Sequence, residues 1–234
     1  MKRFLKRQTQ YVGAPKTDFL RELIDQDRRP GWPYVPPDEG DLLHWLARRT
    51  PAGHALQIGC ATGSTAVYML AGMPDGSLVS IDFAHDSHDR SGEALIARAG
   101  FAARHRLIEE NSIEVLPRLH GAGERFDLIF LDGWKTFDHI WVDTFYCARM
   151  LVPGGFIMFD DAWMPAVRKC LRLLRNSYLF ELLDNYRIIG GGRLRLWHMM
   201  TTRGVLHPPY LALRKPTEIE DTPAGRQFDF WAPF

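Results

Sequence analysis

The apolar residues of this chain change their spacing near residue 54. Before it, Phe19, Leu20, Leu23 and Ile24 recur at helical intervals and predict a short amphipathic helix over 16–26. A loop rich in proline and aromatic residues follows (Pro30, Trp32, Pro33, Tyr34, Pro36, Pro37), and Asp38 or Asp41 opens a helix running to about Arg49. From His54 onward, short apolar runs alternate with amphipathic stretches. Strands are predicted at 54–58, 77–81, 104–108, 126–131 and 155–159, and helices at 63–73, 91–99, 112–119, 136–151 and 165–181. Strands alternating with helices imply a parallel sheet covered on both faces. Two more strands are expected near 185–189 and 193–201, with Gly190-Gly191-Gly192 as a hairpin turn that makes the last one antiparallel. The expected fold class is therefore α/β: a doubly wound, mostly parallel seven-stranded sheet with one antiparallel strand and helices on both faces.

The flanks read differently. Residues 1–36 form an N-terminal helix and loop, residues 37–201 the α/β domain, and residues 202–234 a C-terminal extension. His207-Pro208-Pro209-Tyr210 and Pro216 break any long element there. The end, Phe228 to Phe234, is too apolar for a free tail and is expected to pack on the domain or on a partner subunit, as in a homodimer. The 234 residues suffice for one sizeable core and not for two comfortable domains. A net charge of +1 leaves no global field for nucleic acid. The basic start, with Lys2, Arg3, Lys6 and Arg7, lacks the apolar run of a signal peptide, and no stretch approaches a membrane span. Cys60, Cys147 and Cys170 are scattered, without a CxxC pair, which suits a reducing compartment. The expected location is cytoplasmic.

Candidate chemistry begins after the first strand. Gly59-Cys60-Ala61-Thr62-Gly63-Ser64 joins it to the first helix of the alternating region. Glycines at 59 and 63 let the backbone turn tightly and approach a ligand, and the helix start offers free N–H groups. Ala61 breaks the GxGxxG pattern of dehydrogenases, which favours a nucleoside without a pyrophosphate at that helix. Asp82, at the end of the second strand, is placed to accept the hydroxyls of a ribose lying across the strand ends, or else is a solvated loop acid near Asp86 and Asp89. Asn111 and Ser112 follow the third strand, where they can bond an adenine edge or cap the helix they open.

Asp132 ends the fourth strand, and Asp160 and Asp161 end the fifth. If those strands are neighbours, three carboxylates converge, and bare acids repel unless protonated or bridged by a cation. Hard oxygen ligands with room for water suit Mg²⁺. Alternatively, Asp161 caps the helix near Pro165 and Asp132 starts a turn with Gly133. Lys135 is either a base beside these acids or a surface lysine on a helical first turn. Trp32, Tyr34, Trp163 and Met164 are candidate substrate walls, or plain packing. A metal site at His85 and His88 from their HxxH spacing is disfavoured.

Across residues 35–200 the sequence resembles the class I S-adenosylmethionine (SAM)-dependent methyltransferases, a Rossmann-like group, and in particular the metal-dependent, catechol O-methyltransferase-like enzymes. Gly59 to Ser64 resembles the SAM glycine loop, and Asp82 falls at its ribose acid. Leu131-Asp132-Gly133-Trp134-Lys135 resembles that group's Leu-Asp-His-Trp-Lys segment. Asp160-Asp161 falls at its second acidic pair, and Ser112 at its adenine-contacting serine. The Asp-Asp form followed by Trp163-Met164-Pro165 is more similar to bacterial enzymes acting on sugars and other natural-product hydroxyls. The resemblance implies SAM as cofactor and S-adenosylhomocysteine as product, held by Gly59, Cys60, Ala61, Gly63, Ser64, Asp82, Phe83, Asn111, Ser112, Asp132 and Trp134. It implies Mg²⁺ on Asp132, Asp160 and Asp161, Lys135 as the base, and a hydroxyl of a small molecule as acceptor. Gln57 stands where that group usually has an acid, and Gly133 where its closest segment has His. A metal-independent methyltransferase is the alternative, with a NAD-dependent oxidoreductase or a non-catalytic nucleoside binder behind it.

Overall fold

The structure is a computed structural model that describes residues 17–26, 28–50, 52–189 and 209–217. Helix α1 (Asp18–Asp25) buries Leu20 and Ile24, and Thr17 and Arg21 both bond Asp41 of α2 (Pro37–Ala47). Proline opens α2 because the first helical N–H has no partner to lose. Then strands and helices alternate: β1 (His54–Ile58), α3 (Ser64–Gly72), β2 (Ser77–Ile81), α4 (Ser91–Arg98), β3 (His105–Ile108), α5 (Ser112–Gly121), β4 (Phe126–Leu131), α6 (Phe137–Met150), β5 (Leu151–Phe159) and α7 (Pro165–Asn176). β6 (Glu181–Leu182), α8 (Asn185–Ile188) and β7 (Leu211–Arg214) follow.

Among the described residues the sheet has seven strands, in the order β3-β2-β1-β4-β5-β7-β6. β1 to β5 are mutually parallel, and β7 runs antiparallel to both β5 and β6. Each face carries its own apolar layer. Leu128 and Phe130 of β4 join Leu42, Tyr68 and Met69 on one side, whereas Ile129 and Leu131 join Ile140, Cys147 and Leu171 on the other. A strand covered on both faces must be apolar throughout, which is why β4 reads as an unbroken run rather than an alternating one.

The C-terminal third departs from the sequence expectation. The helix expected to reach 181 stops at Asn176; Leu179 takes a left-handed backbone (φ 57°), and Glu181–Leu182 pairs with β7. The segment expected as a strand at 185–189 is instead a single helical turn, opened by Asp184, whose side chain accepts from the Arg187 N–H. The glycine turn at 190–192 and the strand expected at 193–201 lie outside the described residues. The antiparallel strand observed is Leu211–Arg214, set between β5 and β6. Pro209 and Pro216 limit it to four residues without preventing it. Among the described residues no helix is long and apolar enough to cross a membrane.

Candidate active site

The residues singled out from the sequence stand in a row at the carboxyl edge of the sheet. Each lies one position beyond its strand and extends the ladder. Asp82 N donates to Ile108 O (3.0 Å), Gly59 N to Ile81 O (2.9 Å), Asp132 N to Ile58 O (2.9 Å) and Asp160 N to Leu131 O (3.1 Å). Strands stand about 4.8 Å apart, so the ends of β2, β1, β4 and β5 make a row on the order of 14 Å long, enough for a nucleoside at one end and its substituent at the other.

The glycine loop turns sharply. Gly59 has φ +90°, and a Cβ there would lie 2.3 Å from the Asp132 carbonyl oxygen. Gly63 has φ +76° and a Cβ would meet Gly92 O at 2.6 Å, so α3 and α4 approach through it. Asp82 braces the loop: its carboxylate accepts from the N–H groups of Cys60 (2.8 Å), Ala61 (2.7 Å) and Ala84 (2.9 Å). This role was not visible from sequence, where Asp82 read as a ribose acceptor or a solvated loop acid. Ser64 is buried and its hydroxyl accepts from Val35 N (3.0 Å), while Thr62 donates to Pro33 O (2.6 Å). Both bonds pin the proline-rich loop over the start of α3. Gln57, in place of an acid, is buried in β1 and accepts from Thr65 Oγ1 (3.1 Å).

Across β4 and β5, one carboxylate oxygen from each of Asp132, Asp160 and Asp161 lies within 4.8 Å of the others. Lys135 is largely buried beside them; its Nζ donates to Asp132 Oδ1 (2.8 Å) and stands 3.5 Å from Asp161 Oδ2. Burial pulls the Lys135 pKa down, but Asp132, Asp160 and Asp161 outweigh it and hold the ammonium above its ordinary range. Burial first, then the neighbouring Asp132 and Asp161, push Asp160 up to about 8. Asp161 does not cap α7: its carbonyl accepts from Met164 N (2.8 Å) and its side chain turns toward Lys135. Its backbone is left-handed (φ 50°), a conformation acids tolerate and one that recurs at functional sites.

Asn111 is the N-cap of α5, accepting from Ile113 N (3.1 Å), and Ser112 is buried as its first residue. Phe83 and Trp134 are exposed and meet edge to face, with centroids 6.4 Å apart, over the crevice between Asp82 and Asp132. Trp32 and Tyr34 lie elsewhere: Trp32 packs on His88 and Arg29, and Tyr34 beneath Arg28. A cavity of about 400 Å³ on that side is lined by Arg28, Arg29, Tyr34, Asp89 and Thr62 of the glycine loop, and by none of the acid cluster. Met164 packs into the core and Trp163 stays partly exposed. His85 and His88 form no metal cluster among the described residues.

Two acids escaped the sequence reading. Glu39, in the first turn of α2, is 3% exposed, and its Oε1 has no hydrogen-bond partner among the described residues. Burial, then Asp160, Asp132 and Asp38, raise its carboxyl well above the usual range. Asp143 of α6 is 1% exposed, and burial raises it to about 6 against the opposing pull of the Ser112 hydroxyl. A signal existed: Glu39 shares a helical face with Leu42, Leu43 and Leu46, and Asp143 with Ile140 and Cys147. An acid on an apolar stripe is itself an anomaly.

Residues 56–162 match the sequence family described as a methyltransferase domain. A provisionally named O-methyltransferase of Mycobacterium sp. (strain JLS) is 35% identical over 156 residues, covering 60% of this chain and 69% of its own. The chain belongs to the class I O-methyltransferase family. A catechol O-methyltransferase of Niastella koreensis is 30% identical over 131 residues, 54% of this chain and 57% of that protein. The fold matches the O-methyltransferase TomG of Streptomyces achromogenes, solved in complex with SAM, at a TM-score of 0.61 and 21% identity, over 88% of this chain and 92% of that one. Family and fold agree with the methyltransferase fold class expected from the sequence.

Proposed function

We propose that this methyltransferase moves the methyl group of SAM to a hydroxyl of a small molecule, a catechol, sugar or other natural product, with Mg²⁺ assistance. The observation that carries this is the convergence of Asp132, Asp160, Asp161 and Lys135 one strand away from the glycine loop. The donor set fits a hard dication: it is all oxygen, partly open, and so crowded that burial and the neighbouring acids push the Asp160 carboxyl up. A dication on those three carboxylates would favour the ionised form of a hydroxyl placed beside it.

The chain's own part is positioning and proton handling. The glycine loop and Asp82 place the nucleoside, and Phe83 and Trp134 flank it. Methyl transfer is an in-line displacement: the substrate oxygen bonds the methyl carbon, the carbon–sulfur bond breaks, and sulfur leaves as a neutral thioether. Lys135 accepts the hydroxyl proton at Nζ. Its ammonium is held by the three acids against the pull of burial; once those acids are engaged elsewhere, burial favours the neutral amine. Residues 1–36 and 202–234 are assigned as flanks of the SAM-binding domain that cover the substrate or meet a second subunit. Adjacent hydroxyls as acceptor agree with the catechol O-methyltransferase named above.

A second reading has one observation in its favour. Lys135 already pairs with both Asp132 and Asp161, so these acids have a partner in a metal-independent enzyme. Calorimetric titration of Mg²⁺ into the protein saturated with S-adenosylhomocysteine separates the two. Saturable binding in wild type that disappears in Asp160→Ala supports the dication; silence in both proteins selects the metal-independent reading.

A further inference from the structure

Glu39 is the group in the crevice that neither the metal site nor the glycine loop uses. It comes from α2, which packs on α3 closely enough that a Cβ on the next residue, Gly40, would fall 2.4 Å from the Tyr68 ring. Four residues before Glu39, the Val35 N–H donates to Ser64 Oγ (3.0 Å), which holds the start of α2 beside the glycine loop. Asp160, Asp132 and Lys135 all act electrostatically on Glu39, which puts it within reach of the ends of β4 and β5. It is not among the carboxylates that cluster within 4.8 Å of one another. Its Oε1 is buried with no hydrogen-bond partner among the described residues.

A buried carboxylate oxygen without a donor costs free energy that folding alone does not recover, so it marks a place where a donor from outside is expected. The charges indicate which kind. Asp132, Asp160, Asp161 and Glu39 converge on Lys135, and among the described residues Lys135 makes the ion pairs of both Asp132 and Asp161. The crevice is therefore short of positive charge even with its lysine in place. A dication on the aspartates answers that deficit at the β4–β5 end. Glu39 remains, on the side nearer α3 and the glycine loop.

We propose that Glu39 receives the ammonium group of the amino-acid tail of the nucleoside donor, and so selects a nucleoside that carries that tail over one that lacks it. The inference rests on the reading of the site as a SAM site. In this arrangement the ammonium donates to Glu39 Oε1, and the chain supplies from α2 an acidic contact that Gln57, bonded to Thr65 in β1, does not. Glu39 touches the donor and not the reacting methyl group, so it is a binding residue.

The test compares two ligands: S-adenosylhomocysteine, which has the amino-acid tail, and 5′-methylthioadenosine, which shares the nucleoside and lacks it. Both are titrated calorimetrically, without metal, into wild type, Glu39→Gln and Glu39→Asp. A charge-assisted hydrogen bond of ordinary strength predicts that Glu39→Gln weakens S-adenosylhomocysteine at least about tenfold and leaves methylthioadenosine within about twofold. Glu39→Asp should fall between. Equal S-adenosylhomocysteine affinity in wild type and Glu39→Gln overturns the proposal, as does equal loss of both ligands, which marks a structural role. Should the variants fail to fold, the deaminated analogue of S-adenosylhomocysteine is titrated into wild type. At least about tenfold weaker binding than the parent supports the ammonium contact, and parity overturns it. Wild type that binds neither nucleoside removes the SAM reading itself, an outcome separate from a failure of Glu39 alone.

Discussion

Gly59 and Asp143 mark two ways in which one residue sets the limits of this site. At Gly59 the chain needs both a positive φ and the absence of a Cβ, since that atom would lie 2.3 Å from the Asp132 carbonyl. Gly59→Ala is expected to cost more than ~2 kcal/mol and to abolish S-adenosylhomocysteine binding, read by thermal unfolding and calorimetry. A variant with normal binding would show that the loop can relax. Asp132→Ala and Lys135→Ala should each lower turnover by about 10²–10⁴, Lys135→Ala while leaving nucleoside affinity largely intact; near-normal turnover in Lys135→Ala would remove it as the base. Asp143 carries the pH prediction. Its folded-state pKa is raised to about 6 from an ordinary 3.8, so the folded protein prefers the neutral acid. The resulting penalty is absent below about pH 4, grows between about 4 and 6, and is complete above. Asp143→Asn should therefore stabilise the protein at pH 7, by on the order of 2 kcal/mol, and hardly at all at pH 4. A gain that does not change with pH would contradict it.

At the level of elements, the turn from β5 into α7 decides how the acid pair is aimed. Asp160 continues the sheet, with its N–H on Leu131 O, while Asp161 turns left-handed and sends its side chain toward Lys135. Two consecutive acids on a regular strand would point to opposite faces; the left-handed step brings both to one site. Asparagine tolerates that backbone and valine does not. Asp161→Asn is expected to melt close to wild type with weakened Mg²⁺ binding, whereas Asp161→Val should lose about 1–2 kcal/mol more. Equal melting of the two would show that the positive φ carries no cost. The helices α2 and α6 follow a common rule of their own: each turns one acid into the interior from an otherwise apolar face, Glu39 toward the crevice and Asp143 beneath α5.

On the scale of the whole molecule, the sheet is completed from far along the chain. β7 lies between β5 and β6, Ala212 and Leu213 are fully buried, and Tyr210 bonds Asp38 at the start of α2. Burying Tyr210 and Leu213 is worth roughly 3–6 kcal/mol together, comparable to the net stability of a domain. A chain ending at residue 208 should accordingly lose cooperative thermal unfolding in circular dichroism. A sharp transition near the wild-type temperature would mean that β5 tolerates being an edge. Tyr210 also joins the C-terminal segment to α2, so damage there is expected to reach the candidate site as well as the core.

What the sequence determined by itself is whatever is encoded locally. The β1–α3 to β5–α7 alternation, the glycine loop and the acids at strand ends were legible because a strand or helix announces itself by periodicity, and because a ligand site at a parallel sheet's carboxyl edge uses the residues just past each strand. The C-terminal strand was not legible in this way. Leu211–Arg214 is four residues between prolines, and only the gap left between β5 and β6 makes it a strand, while 185–189 reads as apolar and folds as a helical turn. Tertiary structure alone decided that Asp82 spends its carboxylate on the glycine loop, that Ser64 anchors the proline-rich loop, and that Asn111 rather than Ser112 caps α5. It also decided that Glu39 reaches the crevice from an element some twenty residues upstream of the loop. Periodicity states which face of a helix is buried, but which other charges a buried acid meets depends on how separate elements are packed together.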